Sequence, residues 1–177
     1  NHAKSKATCD WILSIDADEQ LTVPFEKVRE AVAIGESRGA LAVNIKLHAD
    51  DSESGGTVKE TLSQTDKWHW FPRVFKNVPA VWWEGAVHNH LSVNAIDDKE
   101  NGVSIVYGYS PAHLLDPNRS IEIMETEVST REDAVRESFY LGREYYYRNR
   151  FEDCVSILGK YVQKSNFPAE KADAFLI

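Results

Sequence analysis

The chain has 177 residues, of which 42% are hydrophobic and 27% charged, which is enough for one domain with a real core and a small appendage. Its 20 basic and 28 acidic residues give a net charge of -8, the wrong sign for neutralising a nucleic-acid backbone over a broad surface. No stretch approaches the roughly 20 apolar residues of a membrane span, and the first residues lack the apolar segment of a signal peptide. We therefore expect a cytoplasmic protein with no nucleic-acid partner and no membrane span.

The first two thirds of the chain carry strand and helix patterns. A short helix-compatible segment leads into the apolar run from Trp11 to Ile15, which has the length and β-branched content of a buried strand. Pro24 opens a segment with apolar residues at helical spacing, which predicts an amphipathic helix packed on a sheet. Residues 40–48 alternate as a further strand. Three strand-rich segments follow: Lys67 to Lys76, Ala80 to Val93 and Gly102 to Tyr109.

Helical periodicity dominates after Pro117. Large and small residues around Gly142 approximate one unit of a tetratricopeptide repeat, with Pro168 close to the expected end of the unit. We therefore predict an α/β core over residues 1–116 and an all-helical, tetratricopeptide-like region over residues 117–177. Because repeats of this kind need neighbours to bury their faces, this region either caps the core or continues an array, and it offers a surface for a protein partner.

Two acidic residues stand where the first predicted strand ends. Asp16 and Asp18 have one residue between them, so their carboxylates can face a common ligand. Hard oxygen ligands select Mg²⁺ or Mn²⁺, and such a cation can bridge the two phosphates of a nucleotide and stabilise them as a leaving group. The alternative is a solvated acidic turn that happens to follow a strand.

Three segments together resemble one protein family. They are A-x-x-x-A-x-x-D-W-I-L-S-I-D-A-D-E from Ala3 to Glu19, W-F-P-R-V-F-K from Trp70 to Lys76, and W-E-G-A-V-H-N-H from Trp83 to His90. Their order and spacing look like family-two glycosyltransferases of the GT-A fold, in a branch that often carries a helical or tetratricopeptide tail. The resemblance implies a partial GT-A, Rossmann-like sheet with flanking helices. It also implies an inverting, metal-dependent transfer from a nucleoside-diphosphate sugar to a hydroxyl of a glycan, lipid or protein.

The resemblance assigns the donor side of the site to the acidic segment. It implies that Asp18 ligates Mn²⁺ or Mg²⁺ directly, and that Asp16 contacts the metal through water or binds the donor ribose. Glu19 supports both residues in this assignment. In the family, the first half of the nucleotide-binding sheet precedes the D-x-D motif by many tens of residues, so we expect that half to be missing from this chain or supplied by another segment.

The other two segments supply acceptor-side residues in this assignment. Arg73 is expected to fix a phosphate or a sugar hydroxyl through two parallel hydrogen bonds, the alternative being a surface strand arginine. His88 matches the histidine of the family's G-x-V-H-E string and becomes a third metal ligand or a partner of the leaving phosphate. Its alternative is a histidine whose bonds are satisfied at a strand end.

Two departures from the family bear on activity. Asn89 stands where glutamate is usual, and a neutral amide cannot take a proton, so Glu84 becomes the candidate base or the base is absent. Tyr107 stands before Gly108 where relatives often have histidine, and His113 is a candidate substitute for that ligand. A non-catalytic scaffold that acts through its helical tail is therefore the alternative function.

Four tryptophans lie between residues 68 and 83. Trp68, Trp70, Trp82 and Trp83 can form a surface on which an acceptor sugar stacks. Aromatic side chains also fill cores without any ligand role, and we expect that simpler role for at least two of the four.

Overall fold

The structure is a computed structural model, and it describes residues 1–49, 68–97, 102–107 and 115–177. Its mixture of helices and strands agrees with the predicted α/β class, whereas the partial GT-A, Rossmann-like identity of the sheet stays a prediction. The polar segment around residues 50–67, residues 98–101, and residues 108–114, which include His113, lie outside the described ranges. Within these ranges, no helix is both long and apolar enough to cross a membrane.

Contacts along the chain define two compact units. The sheet unit comprises Asn1–Trp83 and His90–His113, and the helical unit comprises Glu84–Asn89 and Leu114–Ile177. The short segment Glu84–Asn89 therefore belongs with the helices that follow it much later in the sequence.

Five strands form the main sheet, in the order β1-β4-β3-β7-β2. The pairing of β3 with β7 is parallel and the other three pairings are antiparallel. A two-stranded sheet is formed by β5 and β6. The strands are β1 (Trp11–Leu13), β2 (Glu19–Leu21), β3 (Ala42–Ala49), β4 (Trp68–Lys76), β5 (Trp83–Glu84), β6 (His90–Leu91) and β7 (Ser104–Tyr107).

The connection from β1 to β2 requires the sheet to curl. These strands occupy opposite edges of the main sheet, which in a flat sheet would lie about 19 Å apart across four strand spacings. Only residues 14–18 connect them, and part of that connection is folded into a tight turn, so it is too short for a flat sheet. The acidic segment consequently crosses between two sheet edges that have been brought together.

In the described part of the sheet unit, one helix packs on the sheet. Helix α1, Phe25–Ser37, buries Val28 and Ala31 against Val43 and Ile45 of β3, which are fully buried. This packing matches the amphipathic helix predicted after Pro24, because the helical spacing in the sequence reflects the face that meets the sheet.

The segment from Ala80 to Val93 differs from its prediction as a strand. Only the short strands β5 and β6 form there. Gly85 and His88 take positive φ angles of 89° and 53°, which an extended strand does not allow. Its apolar residues instead belong to an irregular segment, in which Val81 and Leu91 are buried in the sheet unit and Val87 packs on the core of the helical unit.

Among the described residues, four complete helices build the helical unit. They are α2 (Arg119–Thr130), α3 (Val135–Tyr147), α4 (Phe151–Lys164) and α5 (Pro168–Leu176). Their core includes Met124, Phe139 and Tyr161, each of which is about 1 to 2% exposed. The helical region predicted after Pro117 is thus confirmed, whereas its tetratricopeptide identity stays a prediction.

Two glycines in this unit give opposite expectations for substitution by alanine. A Cβ at Gly142 on α3 would lie 2.4 Å from Cδ2 of Leu158 on α4, whereas a Cβ at Gly159 would meet nothing within 4 Å. We expect Gly142→Ala to lower the free energy of unfolding by about 1–3 kcal/mol through overpacking. Gly159→Ala should raise it by about 0.5–1 kcal/mol through helix propensity. Urea unfolding of both variants measures this, and equal effects would contradict the close approach of α3 and α4.

Candidate functional site

The acidic segment after β1 forms a tight turn that is closed twice. The N–H of Glu19 donates to the carbonyl oxygen of Asp16 at 3.1 Å. In return, the N–H of Asp16 donates to Oε2 of Glu19 at 2.8 Å. Ala17 and Asp18 occupy the two central positions of this turn. The sequence therefore fixes the backbone of the D-x-D segment through the residue that follows it.

Arg73 on β4 holds the turn from the sheet side. Its side chain is only 9% exposed. The Nη2 atom donates a hydrogen bond to Oδ2 of Asp16 at 2.9 Å and also contacts Oε1 of Glu19. The carboxyl of Glu19 is 4% exposed, whereas that of Asp16 is 62% exposed. The carbonyl oxygen of Arg73 also accepts the N–H of Ser14 at 2.8 Å. One buried residue thus connects β4 to both ends of the β1–β2 connection.

The protonation of Glu19 reflects its burial. Desolvation raises the pKa of Glu19 above its ordinary value, and it outweighs the lowering by the Asp16 N–H and by the Arg73 guanidinium. The nearby Asp16 carboxylate adds to the increase. Nε of Arg73 is buried without a hydrogen-bond partner among the described residues, so Glu19 and Asp16 satisfy this cation only in part.

Asp18 is placed differently from its two acidic neighbours. It is exposed, and within the described part of the chain its carboxylate makes no hydrogen bond or ion pair. Asp16 and Asp18 therefore share one turn but differ in role, because Arg73 takes an oxygen of Asp16 and leaves Asp18 free to bind a ligand. This is the arrangement expected if Asp18 is the direct metal ligand.

The number of protein ligands is small. In the described ranges, no group of three or more His, Cys, Asp or Glu side chains is arranged to hold a metal by itself. Magnesium sites that act on phosphates commonly take one or two carboxylates from the protein, with substrate oxygens and waters completing the shell. The donor set of Asp16 and Asp18 fits that kind of site.

His88 and Glu84 lie in the helical unit. The His88 ring stacks on Tyr140 of α3 with centroids 4.1 Å apart, and Nη1 of Arg136 donates to the His88 carbonyl oxygen at 3.0 Å. Partial burial lowers the pKa of His88, and the cations Arg143 and Arg136 lower it further. Glu84 is exposed. The structure therefore brings Asp16, Glu19 and Arg73 together, whereas the third metal ligand and the base remain predictions.

The four tryptophans divide between core and surface. Trp83 packs edge-on against buried Phe75 at 5.8 Å, whereas Trp68 and Trp82 are 43% and 44% exposed. Trp68 and Trp70 contact each other edge-to-face at 5.5 Å. Trp68 and Trp82 are therefore the two tryptophans whose rings are exposed enough for an acceptor sugar to stack on them.

The role of Arg73 in holding the turn was missed by the sequence analysis. The pairing of β3 with β4 is irregular at Arg73, because Val43 pairs with Val74 and Asn44 pairs with Pro72. Phe71 consequently packs with Val74 whereas Phe75 lies in a different core cluster, and Arg73 packs over the Phe71 ring at 5.2 Å. A register irregularity of this kind is not visible in the sequence, and a guanidinium buried beside it must find acidic partners. Arg73 on this reading supports the acidic turn, and its proposed contact with a substrate is untested.

Removal of Arg73 should be strongly destabilising. In Arg73→Met, the buried Glu19 carboxylate loses its cation, and breaking a buried pair in this way costs about 3 kcal/mol or more. The double variant Arg73→Met with Glu19→Gln should recover part of that loss, because no uncompensated charge is left buried. Urea unfolding at pH 7 measures this cycle, and strictly additive effects would contradict a direct coupling between the two side chains.

The raised pKa of Glu19 predicts a specific pH dependence of stability. The unfolded chain releases the Glu19 proton near 4.5, so the stability from protonated Glu19 is complete below that pH and is lost as the pH rises through the higher folded-state pKa. The difference in unfolding free energy between wild type and Glu19→Gln should therefore fall between pH 4 and pH 7 in buffer with a chelator. Glu26→Gln, on the exposed side of α1, controls for loss of one charge. A difference that is constant with pH would contradict the assigned burial.

Comparison with known proteins found no relative from which the role of these residues could be inferred. No family model matches the chain, and no curated protein is significantly similar to it.

Proposed function

We propose that the chain is a metal-dependent glycosyltransferase that moves a sugar from a nucleoside-diphosphate sugar to a hydroxyl acceptor with inversion. One observation carries the proposal. The turn that begins at Asp16 is closed by Glu19 and held by Arg73, while Asp18 stays exposed and without a partner among the described residues. In the alternative, a solvated acidic turn, water would solvate the carboxylates and no buried arginine would be required to pair with them.

The charges of this turn suit a divalent cation. Three carboxylates lie within four residues, and one guanidinium faces two of them, so the segment keeps a negative excess. A bound Mn²⁺ or Mg²⁺ would supply Lewis-acid stabilisation of a diphosphate leaving group. Asp18 would hold that ion directly, and the exposed part of Asp16 would hold it through water or bind the donor ribose. Glu19 and Arg73 keep these two acids in position.

The acceptor side of the proposal follows the resemblance. Glu84 is the proposed base for the acceptor hydroxyl, and His88 is the proposed third ligand or partner of the departing phosphate. His88 is held in a left-handed backbone conformation by its contacts with α3, and such a conformation is found mainly where surrounding structure enforces it. The GT-A identity of the sheet and the tetratricopeptide identity of the tail belong to the same proposal.

A second function is favoured by one residue. Asn89 is exposed at the position where a glutamate base is expected, and its amide cannot accept a proton. A catalytically inactive relative that binds a protein through its helical unit would need neither Asn89 nor Glu84 to act as a base. Such a protein could still bind metal and nucleotide, so sugar transfer distinguishes the two functions.

Ligand-dependent stabilisation tests the donor site. Wild type should show a higher melting temperature with Mn²⁺ and one of a panel of nucleoside diphosphates, since saturation at about 100 times Kd stabilises the native state by about 2.7 kcal/mol. Asp18→Asn should lose this increase. Asp10→Asn, which removes one exposed acid just before β1, should keep it.

Two results would contradict the proposal. One is the absence of any metal-dependent nucleotide effect in wild type, and the other is an equal effect in Asp18→Asn. Binding without release of nucleoside diphosphate from any donor sugar would favour the scaffold function over the enzyme.

A further inference from the structure

A cavity of about 430 Å³ lies within the helical unit, apart from every residue assigned to the donor site. Its walls come from the end of α2, the start of α3 and the second half of α4. The volume falls in the range of cavities that bind small molecules or short peptide segments. Apolar side chains, including those of Val135 and Ile157, line part of it. Hydroxyl groups, three cationic side chains and the one carboxylate of Glu132 line the rest.

Two lysines give one wall of this cavity a positive charge. Lys160 and Lys164 lie four residues apart on α4, so their side chains emerge on the same face of the helix. Neither ammonium group has a hydrogen-bond or ion-pair partner among the described residues. Arg131, which also lines the cavity, is already paired with Glu127 at 2.8 Å and Asp133 at 3.1 Å. The two lysines are thus the cations that are free to meet an acidic ligand, in a protein whose net charge is -8.

The opposite walls present hydrogen-bond acceptors. Ser129 and Thr130 donate their hydroxyl hydrogens to the carbonyl oxygen of Thr126 at 2.9 and 2.8 Å, and Ser138 donates to the carbonyl oxygen of Ala134 at 2.8 Å. These hydroxyl oxygens keep only lone pairs for a ligand. A fully deprotonated inorganic anion such as sulfate offers only acceptors to such groups, and hydrogen phosphate offers a single hydroxyl donor. A peptide offers N–H donors as well as acidic side chains.

We propose that this cavity binds a short acidic peptide segment of a partner protein. Aspartate or glutamate side chains of the peptide pair with Lys160 and Lys164, and its backbone N–H groups donate to the hydroxyl oxygens of the α2 and α3 walls. An apolar side chain of the peptide packs on Val135 and Ile157. This site is independent of the proposed sugar transfer, because no residue of the donor site contributes to it.

Fluorescence anisotropy on the full chain tests the proposal. The probe is a fluorescein-labelled hexapeptide in which aspartate and glutamate alternate with valine, and the comparison peptide replaces those acids with asparagine and glutamine. The acidic peptide should bind at least tenfold more tightly, and more weakly as salt screens its charges. Substitution of both lysines, Lys160→Gln with Lys164→Gln, should weaken binding about tenfold. Lys160→Arg with Lys164→Arg should retain most of it.

A matched control separates the site from net charge. Lys171→Glu on α5 changes the net charge by the same amount as the double glutamine substitution, and Lys171 does not line the cavity. The affinity of this variant for the acidic peptide should stay within twofold of the wild-type affinity. All three lysine variants should have the same melting temperature as wild type. The proposal is overturned if the acidic peptide fails to bind wild type, if the neutral peptide binds equally, or if the double glutamine variant binds like wild type. Displacement of the peptide by inorganic phosphate at equal concentration would also overturn it, in favour of a small-anion site.

Discussion

The burial of one guanidinium constrains how the strands of the sheet unit are arranged. Arg73 is 9% exposed at its side chain and reaches both Asp16 and Glu19, so the chain must bring the segment between β1 and β2 back over β4. A buried cation without acidic partners would be strongly destabilising. The same contact therefore selects a curled sheet over a flat one, because only the curled sheet lets both partners reach Arg73 at once.

This constraint also determines which acid remains available. Glu19 is nearly enclosed and Asp16 is engaged on one oxygen, so Asp18 retains its full exposure. A turn that relied on Asp18 for its own stability would lose that stability when a ligand displaced the contact. Here the backbone of the turn is closed by Asp16 and Glu19 alone, so a ligand can bind Asp18 without competing with the fold. That separation of support from binding is what a preorganised site requires.

Sequence patterns predicted the helices and strands whose formation depends on residues that are close in sequence. Helix α1 and the helices after Pro117 follow from periodicity within single segments. A strand before Asp16 was also predicted, but it ends at Leu13 and is a partly buried edge strand, not the buried strand expected from Trp11 to Ile15. The role of Arg73 did not follow, since its partners lie 54 and 57 residues away in sequence. The segment around His88 was misjudged for a related reason. Its apolar residues suggested a strand, but positive φ at Gly85 and His88 and a contact with α3 decide its shape, and neither is visible in a local pattern.

The packing of α3 on α4 explains why a cavity exists beside so close a contact. Near its middle, α3 has Gly142, and the absence of a side chain there lets Leu158 approach the helix backbone. At its start, Ala134 and Ser138 line the cavity together with Lys160 and Lys164 of α4, and neither carries a large side chain. Large side chains at these two positions would close the cavity and add apolar burial. The small residues therefore leave an opening where stability alone would favour a filled core, and that opening is lined by the unpaired lysines of α4.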